Sequence, residues 1–141
     1  MTAPARSRGH LTAVPKTTGE LTPAGNLIVD RFTWERMLRR APLSTPLRLL
    51  AMTLGTYADQ DGTEVRPGDK RVARVLRCST RTVERNRKQL IELGLLERTH
   101  AQRSREKADT YRLTVPPDFL EWPGLLDPDE RPTKENPDDR P

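Results

Sequence analysis

Residues 78–94, Cys-Ser-Thr-Arg-Thr-Val-Glu-Arg-Asn-Arg-Lys-Gln-Leu-Ile-Glu-Leu-Gly, constrain this chain more than any other stretch. Ser79 can accept a hydrogen bond from the amide of Arg81 or Thr82 and predicts an N-cap, while Gly94 predicts a left-handed stop. Cys78 before the cap and Val83 after it have the spacing of a hydrophobic staple, so Cys78 is expected to be a small buried apolar residue. At about 100° per residue, Leu90, Ile91 and Leu93 fall on the side of Val83, whereas Arg81, Arg85, Lys88 and Glu92 point away. One face packs and the other is mostly cationic.

That cationic face sits in a cationic region. The net charge is +5, but residues 66–112 alone hold 14 basic and 6 acidic side chains, a difference of +8. Such a field attracts polyanions and speeds their encounter. Other classes are disfavoured. No apolar run approaches the roughly 18 residues of a membrane span, and the N-terminus lacks the apolar core of a signal peptide, so a cytoplasmic protein is expected. One cysteine forbids an intrachain disulfide. With only His10 and His100 besides Cys78, neither a zinc site nor a set of nucleophile, base and orienting acid can be assembled, and neither cofactor nor enzymatic activity is expected.

Residues 1–26 are rich in Thr, Pro, Ala and Gly, carry Arg6, Arg8 and Lys16, and read as a disordered basic arm. The apolar run at residues 27–32 is too short to assign. Thr33 is the expected cap of a first helix carrying Trp34, Met37 and Leu38, which should end before Pro42. A second helix is predicted from Thr45 as cap and Pro46 as first helical residue, with Leu47, Leu50, Ala51, Leu54 and Ala58 at helical spacing.

Acidic residues around Gly62 invite a calcium-loop test, which fails: with Gly62 as sixth position, the first and twelfth fall on Tyr57 and Gly68, not carboxylates. A polar turn leading into a short strand at residues 63–66 is predicted instead. Pro67 and Gly68 then start a third helix with Val72, Ala73, Val75 and Leu76 on its packed face and Lys70, Arg71 and Arg74 outside. It ends near Arg77, about three residues before the capped helix. That is helix-turn-helix spacing.

After Gly94, residues 95–100 and 110–115 predict a hairpin, Tyr111, Leu113 and Val115 alternating with Arg112 and Thr114. Its basic loop contains Arg103, Arg105 and Lys107. Residues 27–117 are thus the expected folded domain. Residues 118–126, with Phe119, Leu120, Trp122, Leu125 and Leu126, can either cover the core or dock a partner. Residues 127–141, with six acidic and three basic residues and four prolines, read as an acidic disordered tail.

The order of elements from Leu47 to Val115 resembles winged helix-turn-helix domains of bacterial, phage and plasmid regulators and replication initiators. The resemblance is carried by Tyr57-Ala58-Asp59, Asp61-Gly62-Thr63, Pro67, Val72-Ala73, Ser79-Thr80-Arg81-Thr82-Val83, Leu90, Leu93-Gly94-Leu95-Leu96 and Thr110-Tyr111-Arg112-Leu113. It implies a mainly α fold with a small β-hairpin, and binding to double-stranded DNA. Arginine can offer two parallel donors to guanine in the major groove, which makes Arg81 and Arg85 the base-reading candidates. Ser79, Thr80, Thr82 and Lys88 on the helix, and Arg103, Arg105 and Lys107 in the wing, are the backbone candidates.

The expected function is a sequence-specific transcriptional regulator, a repressor by occupancy. The alternatives are a replication, partition or excision factor of a plasmid or phage, and a protein-interaction module. A homodimer on a repeated site would add specificity.

Two residues depart from the family pattern. Arg77 stands where the turn usually has glycine, so a left-handed backbone there costs on the order of 1 kcal/mol more and a turn of different shape is expected. Arg87 stands where an apolar residue is usual, near the edge of the packing face. Either its stem packs while its guanidinium reaches a phosphate or an acid such as Glu64 or Asp69, or the helix rotates to bury Asn86 more fully.

Overall fold

A computed structural model describes residues 17–101 and 108–132. Four helices, α1 (Arg31–Arg40), α2 (Thr45–Gly55), α3 (Asp69–Leu76) and α4 (Thr80–Glu92), pack against one sheet of β1 (Thr17–Leu21), β2 (Leu27–Val29), β3 (Leu96–His100) and β4 (Thr110–Val115). The strand order is β1-β2-β4-β3, with every neighbouring pair antiparallel. The mainly α winged helix-turn-helix expectation is met, with a larger sheet than a hairpin alone.

The N-terminal boundary is corrected. Residues 17–21 do not belong to a disordered arm, because β1 pairs with β2, placing Thr17 opposite Val29 and Leu21 opposite Leu27. The turn between them is tied across the sheet, where Glu97 on β3 accepts from the Thr22 hydroxyl and, at 3.1 Å, from Asn26 Nδ2. Arg6, Arg8, His10 and Lys16 lie outside the described residues.

The cap of α1 is Asp30 rather than Thr33: its carboxylate accepts from the Thr33 amide at 2.8 Å, satisfying one orphan N–H of the first turn. Likewise Ser44, not Thr45, precedes α2, whose Leu47, Leu50, Ala51 and Leu54 are buried as the spacing predicts. Trp34 fastens α1 to the rest. Its indole is buried and donates to Leu95 O at 3.0 Å and Thr114 O at 3.1 Å, so one side chain joins the end of α4 to β4. Gly55 is required by this ring, since a Cβ there would lie 2.9 Å from Trp34 Cζ3.

The polar turn at residues 59–63 forms as expected, with Asp61 accepting from the Thr63 amide at 3.0 Å and from its hydroxyl at 2.6 Å. Those hydrogen bonds hold the Asp61 carboxyl below its ordinary range. The expected strand at 63–66 contracts to one bridge, between Val65 and Tyr111.

Past β4, a 3-10 turn at Phe119–Glu121 folds back on the domain. Phe119 and Leu125 are buried and Trp122 is half-buried, so residues 118–126 mainly cover core. The strap continues into the expected tail: Leu126 exchanges hydrogen bonds with Arg40, and Glu130 pairs with Arg39 at 2.7 Å. The folded unit therefore runs past 117 to at least residue 132, and residues 133–141 lie outside the description.

Candidate nucleic-acid interface

The helix-turn-helix consists of α3, the break at Arg77–Ser79, and α4. Arg77 adopts the left-handed conformation at φ 56°, ψ 48°, which corrects the expected change of shape: the turn keeps the form usual for glycine with an arginine in place. The turn is closed by Cys78 N donating to Ala73 O at 3.1 Å. Ser79 then caps α4, accepting from Thr82 N at 3.1 Å. At the far end Gly94 (φ 83°) directs the chain into β3, with Leu95 N returning to Leu90 O at 3.0 Å and Gly94 N to Ile91 O at 3.0 Å. These paired bonds satisfy the last carbonyls of α4 and set where the wing begins.

The packed face is narrower than the helical wheel suggests. Val83 and Leu90 are buried in α4, and Val72 and Ala73 in α3. Ile91 is 36% exposed, Val75 is 55% exposed, and Cys78 is exposed, which corrects all three expectations. Helical periodicity gives the direction of a side chain but not whether another element stands opposite it.

The outward face holds Arg81, Glu84, Arg85, Lys88, Gln89 and Glu92 around one shallow concavity. Among the described residues, none of Arg81, Arg85 and Lys88 has an ion-pair partner. Glu84 and Gln89 were not singled out from the sequence, although they lie one turn from Arg81 and Arg85 on the same wheel. Both carry base-edge chemistry, since glutamine can pair with adenine and glutamate can accept from cytosine N4.

At the N-terminus of α4 the candidates divide. The Ser79 hydroxyl is occupied by the cap and also lies 2.8 Å from Thr82 Oγ1. The exposed Thr80 hydroxyl and the amides of Thr80 and Arg81 have no hydrogen-bond partner among the described residues. They form the part of this helix end open to an anion.

Arg87 is separated from this face. It pairs with Asp69 of α3, and its guanidinium carbon stands 5.4 Å from the centre of the Tyr111 ring on β4. Burial raises the Tyr111 phenol above its ordinary pKa, against the opposing effect of the Arg87 cation. Glu64, the other acid within expected reach, pairs with Arg66 instead.

The wing begins as expected, with Leu96 opposite Leu113 and Arg98 opposite Tyr111. Thr114, expected on the outer side of β4, is buried and donates from Oγ1 to Gly94 O at 2.7 Å. Arg103, Arg105 and Lys107 lie outside the described residues. No group of three or more His, Cys, Asp or Glu side chains that could hold a metal occurs among the described residues, and none of their helices is long and apolar enough to cross a membrane.

Three helices, a left-handed break before a capped helix with a cationic outer face, and a following hairpin have the arrangement of a winged helix-turn-helix fold. Residues 42–96 match the family model of the helix-turn-helix domain, covering α2, α3, α4 and the first residue of β3. Over these residues the chain is similar to helix-turn-helix domains. No curated protein and no solved structure matches the chain.

Proposed function

We propose that this protein is a sequence-specific double-stranded DNA-binding regulator that represses transcription by occupying an operator. The observation that carries the reading is the outer face of α4, where Arg81, Arg85 and Lys88 have no ion-pair partner among the described residues and alternate with Glu84 and Gln89. A helix surface with only cations would bind any duplex; one that interleaves arginine with residues able to accept from or pair with bases can discriminate.

In this reading Arg81 and Arg85 contact bases, with Gln89 beside them. Thr80, Thr82 and Lys88 meet phosphates on the helix side, while Ser79 acts through its cap. Arg103, Arg105 and Lys107 extend the phosphate contacts to the wing. One domain offers about three or four base-reading side chains, so two copies on a repeated site form the expected bound species. A DNA partner also implies a cytoplasmic location.

Mapping bound sites in the cell tests the assignment. Sites overlapping promoters are the expected result. Clustered repeats at an origin would replace repression with a replication or partition role, and failure to shift any duplex at low salt would replace DNA binding with a protein-interaction role.

A further inference from the structure

The two helices of the motif are joined by the Arg77–Ser79 turn. Near the turn their separation is fixed by the Cys78–Ala73 hydrogen bond and the Ser79 cap. The apolar contact beyond it is small, because α3 buries only Val72 and Ala73, and α4 only Val83 and Leu90. Farther out stands a charged contact. Asp69, the first residue of α3, pairs with Arg87 of α4. Each lies eight residues from the turn, counting from Arg77 to Asp69 and from Ser79 to Arg87, or about 12 Å along its helix axis. Behind the pair the Tyr111 ring supports the guanidinium, and Tyr111 is itself locked to Val65 by two backbone hydrogen bonds of 2.9 and 2.8 Å.

We propose that Asp69, Arg87 and Tyr111 form a strut that sets the angle between α3 and α4, making Arg87 a specificity-determining positioning residue that touches no nucleic acid itself. The inference rests on the DNA-reading assignment above. A 1 Å change in a strut about 12 Å from the pivot rotates α4 by on the order of 5°, and moves the backbone at Arg85 by roughly 0.7 Å. Recognition geometry tolerates about 0.5 Å. Small changes in the strut therefore reach the base-reading side chains.

Stability alone does not account for the pair. A half-buried ion pair gains little over well-packed apolar residues of similar size, and Arg87 Nε is buried without a hydrogen-bond partner among the described residues. What the pair provides over an apolar contact is a fixed separation and direction. Because Asp69 already neutralises Arg87, removing the arginine should not remove a phosphate contact.

The test titrates the full chain with a duplex selected by the wild-type protein and with a scrambled duplex of equal composition, across a salt series, alongside thermal melting. Arg87→Met and Asp69→Asn are expected to reduce the preference by about fivefold or more, leaving the salt slope unchanged. The exchange Asp69→Arg with Arg87→Asp should recover part of the preference, and Arg87→Lys should retain less than arginine because a point charge cannot both pair and lie flat on the ring. If Arg87→Met fails to fold, Asp69→Asn and Arg87→Lys decide by the same readouts. An unchanged preference overturns the strut. So does an equal loss on both duplexes with the slope lowered by about one, which would make Arg87 a phosphate contact. A wild-type protein with no preference at all would strike the sequence-specific reading itself, before any variant is compared.

Discussion

Arginine is placed in two opposite settings in this molecule. At the end of α1, Arg40 is buried, donates to Leu126 O at 2.8 Å and has its pKa lowered by desolvation, while Arg39 pairs with Glu130. On α4, Arg81 and Arg85 are exposed and have no ion-pair partner among the described residues. The first pair closes the C-terminal strap over the core, and the second projects charge outward. Arg87 lies between these cases, held by Asp69 yet part of the α4 scaffold. Counting cations along the sequence cannot separate these settings, because the difference lies in whether another part of the fold supplies the partner.

Substitution should expose the contrast. Arg40→Ala removes a buried stem and a charge-assisted hydrogen bond, and should destabilise the fold by about 2 to 4 kcal/mol in urea unfolding, with duplex preference retained. A neutral effect on unfolding would mean the strap is not fastened there. Arg85→Ala should do the reverse: unfolding changes by no more than about 0.5 kcal/mol, while affinity for the selected duplex falls by about 1 to 3 kcal/mol and that for a scrambled one falls less.

Lys88→Ala is expected to weaken all duplexes about equally and lower the salt slope by about one; a slope that does not move would take Lys88 out of the phosphate contacts. The smallest effect belongs to the turn at Asp61. Its carboxyl is held below the ordinary value by the Thr63 hydrogen bonds, so its stabilisation is present above the unfolded pKa of about 3.9 and is lost as pH falls through the folded one. Asp61→Asn should therefore flatten the acid limb of the Tm profile below about pH 4, slightly, because the group is exposed. An unchanged acid limb would deny the turn that role.

Local signals were legible where they specify local structure. Ser79 and Gly94 bound α4 because caps and left-handed stops act within a few residues. The outward positions of Arg81, Arg85 and Lys88 followed from helical periodicity. The edge position of Arg87 followed too, but its partner did not, since a phosphate, Glu64 and Asp69 all stayed open and the fold supplies Asp69.

Features that depend on distant neighbours were missed. The β1 sequence, Thr-Thr-Gly-Glu-Leu, has no apolar alternation and becomes a strand by pairing with β2. Burial of Val75, Ile91 and Cys78 was overestimated because periodicity gives direction but not the extent of the opposing surface. Arg77 takes a backbone shape usual for glycine because the closure of the turn outweighs a local preference of on the order of 1 kcal/mol.

The central claim is that the outer face of α4 reads sequence. Selecting bound duplexes from a random pool, in parallel for the wild-type protein and Arg85→Ala, tests it most directly. The account predicts a defined motif for the wild type and loss of discrimination at one or two of its positions for the variant. No enriched motif, or the same motif with undiminished preference in Arg85→Ala, would contradict it.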